Sequence, residues 1–355
     1  MVVICASQGA DHSLFLDESG FVWCCGDNKY GQLGVDIESS NKPVKIENIS
    51  QIISVSAGCR FSLFLDANGT VWTCGHNEYG ELGLGDENSR KIPEKISSLP
   101  KIVSISCVGQ ASFFIDDSGS VWSCGHNEFG ELGQGDFVNR NKPHKIQRLP
   151  EIKLVSGGFN HSLFLDYEGN VWGSGNNDGQ LGMGDYKDRN EPEKIPGLPK
   201  IRYLAGVVRS SLFVDETGNV WGCGFNGGGE LGLSHNNQEV LNSEKCVVSD
   251  VVQVAGIYES SLFLDSKGNV FSCGTNWYGQ LGLGDKEDRY TPPLKVNNIP
   301  PIRSLATGNS SEQFFLVIDE TGAVWSCGNN QNGQLGLGDL IERHHFTRIE
   351  SFENL

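Results

Sequence analysis

The chain has 355 residues, with 44 acidic against 27 basic side chains and a formal charge of −17. A surface this acidic repels phosphate, which argues against unassisted binding of nucleic acid and against docking on anionic lipid. Gly supplies 46 residues and Pro only 12, while 9% of residues are aromatic; this is a turn-rich globular composition, not a disordered or collagenous one.

No apolar run approaches the roughly 18 residues of a membrane-spanning helix. The start, Met1-Val2-Val3-Ile4-Cys5, lacks the basic flank and apolar length of a signal peptide. The end, Ser351-Phe352-Glu353-Asn354-Leu355, carries no lipidation motif. Eleven Cys without any Cys-x-x-Cys pair point to reduced thiols and an intracellular compartment. The expectation is a monomeric, cytoplasmic protein that would reach the nucleus only through a partner.

One motif is written seven times. The segment Asp17-Glu18-Ser19-Gly20-Phe21-Val22-Trp23 recurs from Asp66, Asp116, Asp166, Asp215, Asp265 and Asp319. Each copy has Gly three residues on, Val five on, Gly nine on and Asn eleven on, the last being Asn28, Asn77, Asn127, Asn177, Asn226, Asn276 and Asn330. Trp stands six on in six copies, and Phe271 takes that place in the sixth repeat. Gln/Glu-Leu-Gly follows each time, and the Trp slots are 49, 50, 50, 49, 50 and 54 residues apart. The repeats run approximately 1–50, 51–100, 101–150, 151–199, 200–249, 250–300 and 301–355. No linker interrupts them, so a single domain over 1–355 replaces the two domains that length alone suggests.

Within a repeat the pattern is that of strands, with no helical period. In the second repeat the first strand is Ile52-Ile53-Ser54-Val55-Ser56-Ala57, and its small residues suit a crowded position. The second strand is Ser62-Leu63-Phe64-Leu65. Asp66 opens a turn in which Gly69 takes the left-handed position of a bulged hairpin. Val71-Trp72-Thr73-Cys74 follows, then a Gly-rich loop, then a short fourth strand, Pro93-Glu94-Lys95-Ile96. The third slot of that strand is basic in all seven copies, and Pro stands two before it in five. Pro and Lys keep an exposed edge from pairing with another molecule, so the fourth strand is the outer edge of a small sheet. Together these features predict an all-β fold, a seven-bladed β-propeller with four antiparallel strands per blade.

The repeats resemble those of the regulator of chromosome condensation family. The likeness lies in His12-Ser13, Asp17, Gly20, Val22, Gly26, Asn28 and Gly31-Gln32-Leu33-Gly34, and it extends over all seven copies. The resemblance implies the propeller. It implies function more loosely, because members serve as exchange factors for the GTPase Ran, as parts of ubiquitin ligases, as ciliary scaffolds and as a plant light sensor.

Framework slots read as structure. Cys25, Cys74, Cys124, Cys223, Cys273 and Cys327 share one slot, and strands of adjacent blades are too far apart for disulfides between them; they read as small buried hydrophobes. The seven Asp and seven Asn read as turn openers and caps, because one structural task explains every copy and an active site needs only one. His76 and His126 stand in equivalent slots without ligand spacing, and His344-His345 lies in the outer strand region. No catalytic residue, metal or cofactor is therefore expected.

Function is expected where copies differ. One such set lies between the first and second strands: Asp11, His12, Arg60, Gln110, Asn160, His161, Arg209, Tyr258, Glu259 and Glu312. This set is read as a partner-binding face. A second candidate loop precedes Gly-Gln-Leu-Gly and carries Tyr30, Tyr79, Phe129, Trp277 and Tyr278. Aromatic residues beside charges make good anchors for a protein partner. The resemblance matches the first set to the face with which family members hold Ran, with Asp11-His12 and Asn160-His161 keeping the family's polar-His pair. A partner-binding propeller that regulates a small GTPase is the leading expectation, and an exchange factor for a Ran-like GTPase is the alternative. The Ran exchange factor carries an extra hairpin wedge, and no repeat here is long enough to hold one. The light sensor needs clustered Trp in the first loop, and this chain has none there. Chromatin attachment in the family uses a basic N-terminal tail; with a first strand expected from Val2 and a charge of −17, chromatin binding is not expected of this chain alone.

Overall fold

The computed structural model describes residues 1–235, 237–308, 313–350 and 352, with Thr291 described by its backbone alone. Blade 1 consists of β1 (Val3–Gln8), β2 (His12–Asp17), β3 (Val22–Asp27) and β4 (Ser39–Lys45). These pair antiparallel in chain order, and six further four-stranded sheets repeat the plan. The first strands of blades 1 to 6, with residues 306–308 just after the first strand of blade 7, line a central channel of about 190 Å³. The fourth strands are outermost, as the Pro and Lys pattern predicts.

The second strand of each blade is buried along its whole length. Both faces of a middle strand meet a neighbouring blade, so Leu, Phe and Leu in succession are all inside. The core is accordingly divided into joints between blades. Leu14 and Leu16 of blade 1 pack with Val55 and Phe64 of blade 2, and Phe15 and Trp23 pack with Phe314 and Leu316 of blade 7.

The Gln/Glu-Leu-Gly loop of one blade presses into the next. A Cβ on Gly34 would lie 3.1 Å from Pro93 and 3.2 Å from the Cys74 sulfur, and the backbone there has φ +70°. That close approach explains three slots together: no side chain on the Gly, a small Cys facing it, and a Pro that packs as well as blunting an edge. All eleven thiols are free. The six of the repeated slot direct their sulfur at the carbonyl of the Gln/Glu slot one blade back, as Cys327 does to Gln280 at 3.1 Å.

The Asp of each hairpin caps its own turn. Asp17 Oδ1 accepts the amides of Ser19 and Phe21, at 2.9 and 3.0 Å. Its Oδ2 accepts the indole N–H of Trp23 at 3.0 Å. The same indole bond recurs in every repeat that has the Trp. In blade 6, where Phe271 offers no donor, Asn269 supplies the bond to Asp265 at 2.7 Å. The Asn slot pins the long loop: Asn28 accepts from Leu33 N and donates to the carbonyls of Val35 and Ile37.

The sequence leaves open whether terminal strands share a blade. They do not, because each sheet is one contiguous stretch of chain. Blades 7 and 1 meet through a joint like the others. Ser13 Oγ donates to Gln334 O at 2.7 Å, Arg303 to Val3 O at 2.8 Å, and Ser7 bridges Thr307.

Candidate protein-binding face

Strand direction alternates within a blade, so the loop from first to second strand and the loop from third to fourth emerge on the same side. The backbone ties them together. Asp27 N donates to Asp11 O at 2.8 Å, His76 N to Arg60 O at 2.9 Å, Phe225 N to Arg209 O at 3.0 Å and Thr275 N to Glu259 O at 2.9 Å. The two candidate loop sets are one surface.

Two of the expected face residues are not on it. His12 and His161 are fully buried. Their Nε2 atoms lie 2.9 Å from Ser62 Oγ and 3.0 Å from Ser211 Oγ, each in the following blade. Burial drives both imidazoles down to about 3, so they are neutral staples between blades. The slot opens the second strand, where side chains turn into the joint; Phe61 and Phe314 occupy it elsewhere. Glu312 lies outside the described residues.

The remaining residues are accessible. Arg60, Arg209 and Trp277 are exposed; Asp11, Gln110, Asn160, Tyr258, Glu259, Tyr30, Tyr79, Phe129 and Tyr278 are half-buried. Asp11 accepts a hydrogen bond from Asn332 at 2.8 Å across the closing joint. Burial pushes its carboxyl up, against the opposing effect of that bond.

Over blades 1 to 3 the face is a row of rings. Tyr30 meets His76 edge-on at 4.8 Å, Tyr79 meets His126 edge-on at 4.8 Å, and Phe129 lies 6.4 Å from His126. The Arg60 guanidinium lies 5.5 Å over the Tyr30 ring. Buried carboxylates hold the histidines from below, with His76 Nδ1 at 2.6 Å from Glu81 and His126 Nδ1 at 2.5 Å from Glu131. The bond to Glu81 raises the His76 imidazole above its ordinary value, against the opposing effect of burial. Burial works against protonation of His126 too, and the Glu131 bond overcomes it. Glu78 and Glu128 stand exposed at the rim.

Over blades 5 and 6 the surface differs. Arg209 lies 4.7 Å over the Phe225 ring and 3.8 Å from Asp178. The Tyr258 and Trp277 rings are 6.3 Å apart and tilted by 52°. The neighbouring blade 5 loop is Gly227-Gly228-Gly229, without side chains, and Gly228 lies against Glu259 and Thr275 of blade 6. Among the described residues no group of three or more His, Cys, Asp or Glu comes together to hold a metal.

Sequence reasoning missed two parts of this arrangement. His76 and His126 are the copies in which the Gln/Glu slot is Glu with a His five residues before it, a pairing visible in the repeats. A second repeated pair, Asp86 with Arg90 at 2.7 Å and its counterparts in four other blades, braces the long loops.

Comparison with known proteins bears on the whole arrangement. The chain is similar to yeast RCC1 (Prp20), solved bound to Kap60, with 23% identity, a TM-score of 0.84 and coverage of 95% of this chain and 85% of that one. Prp20p from Saccharomyces cerevisiae, in a structure whose report concerns its binding to Gsp1p and histones, gives 24% identity and 0.83 over 95% and 88%. Human WBSCR16 gives 24% and 0.79 over 86% and 84%. These likenesses show the fold. A 73-residue stretch is 38% identical to the ultraviolet-B receptor UVR8 of Arabidopsis thaliana, covering 20% of this chain and only 16% of the receptor. The RCC1-like domain model matches residues 1–245, and models of the regulator of chromosome condensation (RCC1) repeat match 267–311, 321–355 and 303–334. With its seven blades and matching repeats from end to end, the chain belongs to the RCC1-like family.

Proposed function

We propose that this propeller captures protein partners on its loop face and catalyses no covalent chemistry. One observation carries the reading. The two loop sets form a single surface whose accessible residues differ from blade to blade, over a buried frame that repeats. Exposed Arg and Trp with half-buried Tyr and Phe are the side chains that dominate binding energy at interfaces. A formal charge of −17 favours approach of basic partners. Eleven free thiols support a reducing compartment such as the cytoplasm.

The test replaces Arg60, Tyr79, Arg209 and Trp277 together with Ala. Capture of partners from the native cell by the tagged full chain, read by mass spectrometry, should be lost while the melting temperature changes little. Retention of every partner would overturn the assignment of the face.

A small GTPase of the Ran type is the partner class that the family and the Prp20p relatives favour. Exchange factors act by binding the nucleotide-free GTPase better than the loaded one. Release of a fluorescent nucleotide from Ran tests it. Acceleration by the full chain supports exchange, and none at micromolar protein removes exchange while leaving binding to be measured directly.

A further inference from the structure

The Gln/Glu slot is occupied by Gln32, Glu81, Glu131, Gln180, Glu230, Gln280 and Gln334. In five blades its far end is bonded to a neighbouring side chain: Gln32 to Asp27, Glu81 to His76, Glu131 to His126, Gln180 to Asn176 and Gln280 to Gln313. Two blades depart from this among the described residues. In blade 7 the uncharged Gln334 accepts the Asn332 amide and leaves Nε2 buried without a partner. In blade 5 the departure falls on a Glu. The place of His76 is taken by Phe225, which has no polar atom to offer. Glu230 Oε2 accepts the Gly228 amide at 3.1 Å, but Oε1 is buried without a partner, and the residue is 1% exposed. Gln fills the slot in four blades and would sit here without a charge.

Three further features surround this carboxyl. Its own loop, Gly227-Gly228-Gly229, lacks the side chains that blade 6 places there as Trp277 and Tyr278. A Cβ on Gly228 would lie 3.3 Å from Glu230 Oε2 and 3.0 Å from the Glu259 carbonyl, so Glu230 sits directly under the join of the two blades. Glu259 adds a second, half-buried carboxyl, with Asp288 raising the negative potential around it. Arg209 acts on both carboxyls electrostatically, yet its head is over Phe225 and beside Asp178. Among the described residues it forms no ion pair with Glu230 or Glu259. The carboxyls do not gather closely enough to hold a metal.

We propose that the join of blades 5 and 6 seats a cationic side chain, arginine or lysine, of a protein partner, its head between the rings of Tyr258 and Trp277 and its donors directed to Glu259 and, through the glycine loop, to Glu230. The inference rests on the partner-binding reading of this face and names the chemistry of one contact. Two tilted rings attract a cation through their faces. The arriving cation favours the ionised form of Glu230, whose proton passes to water, and a carboxylate in a dry setting forms a stronger charge-assisted bond than one in water. The partner's donor supplies, past the glycine loop, the bond that His76 and His126 give to Glu81 and Glu131 and that Phe225 cannot give.

The test titrates the full chain with N-acetyl-arginine amide, N-acetyl-lysine amide and N-acetyl-citrulline amide, following the Trp277 indole resonance. A saturable shift is expected with the arginine or lysine compound and none with citrulline. E230Q should weaken the response about tenfold, the size of one charge-assisted bond, while melting no lower than the parent. E259Q, nearer the rim, should weaken it as well, and R209A should leave it intact or tighten it. Equal responses to arginine and citrulline, or an unchanged affinity in folded E230Q and E259Q, would overturn the proposal. If E230Q still captures every native partner and the fourfold Ala variant captures none, the seat is refuted and the face stands. If both still capture every partner, the face fails too.

Discussion

Nε2 of His12 lies 2.9 Å from the hydroxyl of Ser62 in the next blade, and that hydroxyl donates its proton to the carbonyl of Gln32 at 2.7 Å. The imidazole must therefore be the donor to Ser62, which leaves Nδ1 without a proton and without a partner. His161, Ser211 and Gln180 repeat the arrangement three blades on, at 3.0 and 2.6 Å. The two chains of bonds tie adjacent blades together and work only while the imidazole is neutral.

Acid should loosen the ring through these two residues. Burial lowers both imidazoles from their ordinary value of 6.5 to about 3. Their contribution to stability is complete above the unfolded value of 6.5 and is lost as pH falls toward 3, because only the unfolded chain binds the protons. Each pH unit in that window costs up to about 1.4 kcal/mol per histidine. Phe fills the same slot at positions 61 and 314, so H12F/H161F should fold. Its denaturant midpoint should fall less than the parent's between pH 7 and pH 4.5. Parallel losses in the two proteins would show that other groups govern the acid response.

Alkali should act on Glu230 in the opposite sense. Burial pushes this carboxyl up to about 8, with Glu259 reinforcing and Arg209 and the Gly228 amide opposing. A raised carboxyl leaves stability intact below the unfolded value of about 4.5 and removes it as pH rises toward 8. E230Q has nothing to ionise there. Its advantage in melting temperature over the parent should grow from pH 5 to pH 8 and then level off. An advantage that shrinks over this range would mean that Glu230 has found a partner in the folded protein.

The bond between Trp122 Nε1 and Asp116 Oδ2, 2.9 Å long, can be separated from the cap that Asp116 also provides. Phe271 shows that the ring slot tolerates Phe. W122F should cost about 1 kcal/mol, the net value of one hydrogen bond. D116A loses the amides of Ser118 and Ser120 as well and should cost about 2–3 kcal/mol. Urea unfolding of the two variants and their combination measures the coupling. If D116A costs no more than W122F, the turn does not depend on its cap.

What could be read from the sequence was what repetition exposes. Seven Asp at one spacing, each followed by a Gly with φ between +75° and +83° in the structure, announce the hairpin wherever it occurs. The same comparison of copies would have placed His12 correctly, because Phe61, Ala111 and Phe314 in its slot are residues of a core. The polarity of the imidazole points to a surface, but it is satisfied by a Ser fifty residues away. Glu230 was hidden for the converse reason. Glu and Gln both occur in its slot, and only the structure shows that Glu230, with Oε2 on the Gly228 amide, leaves Oε1 buried without a partner. Contacts made once, such as Arg209 over Phe225, leave no pattern to find.

One such contact lies at the joint that closes the ring. The Phe352 ring meets Phe15 edge-on at 5.5 Å and Trp23 edge-on at 5.8 Å, so this side chain packs on the core between blades 7 and 1. The other joints are spanned by a connecting chain, whereas blades 7 and 1 are joined only by non-covalent contacts. A fully buried Phe changed to Ala costs about 3–5 kcal/mol, and a half-buried one should cost about 1–2 kcal/mol. The loss should be local, because stability in a ring of repeats is a sum over neighbouring joints. F352A is therefore expected to speed amide exchange in β1, β2 and the last two strands of blade 7 before it affects blades 3 to 5. Hydrogen exchange of the full chain decides the matter: an even loss of protection around the ring, or none in blade 1, would mean that Phe352 does not guard the closing joint.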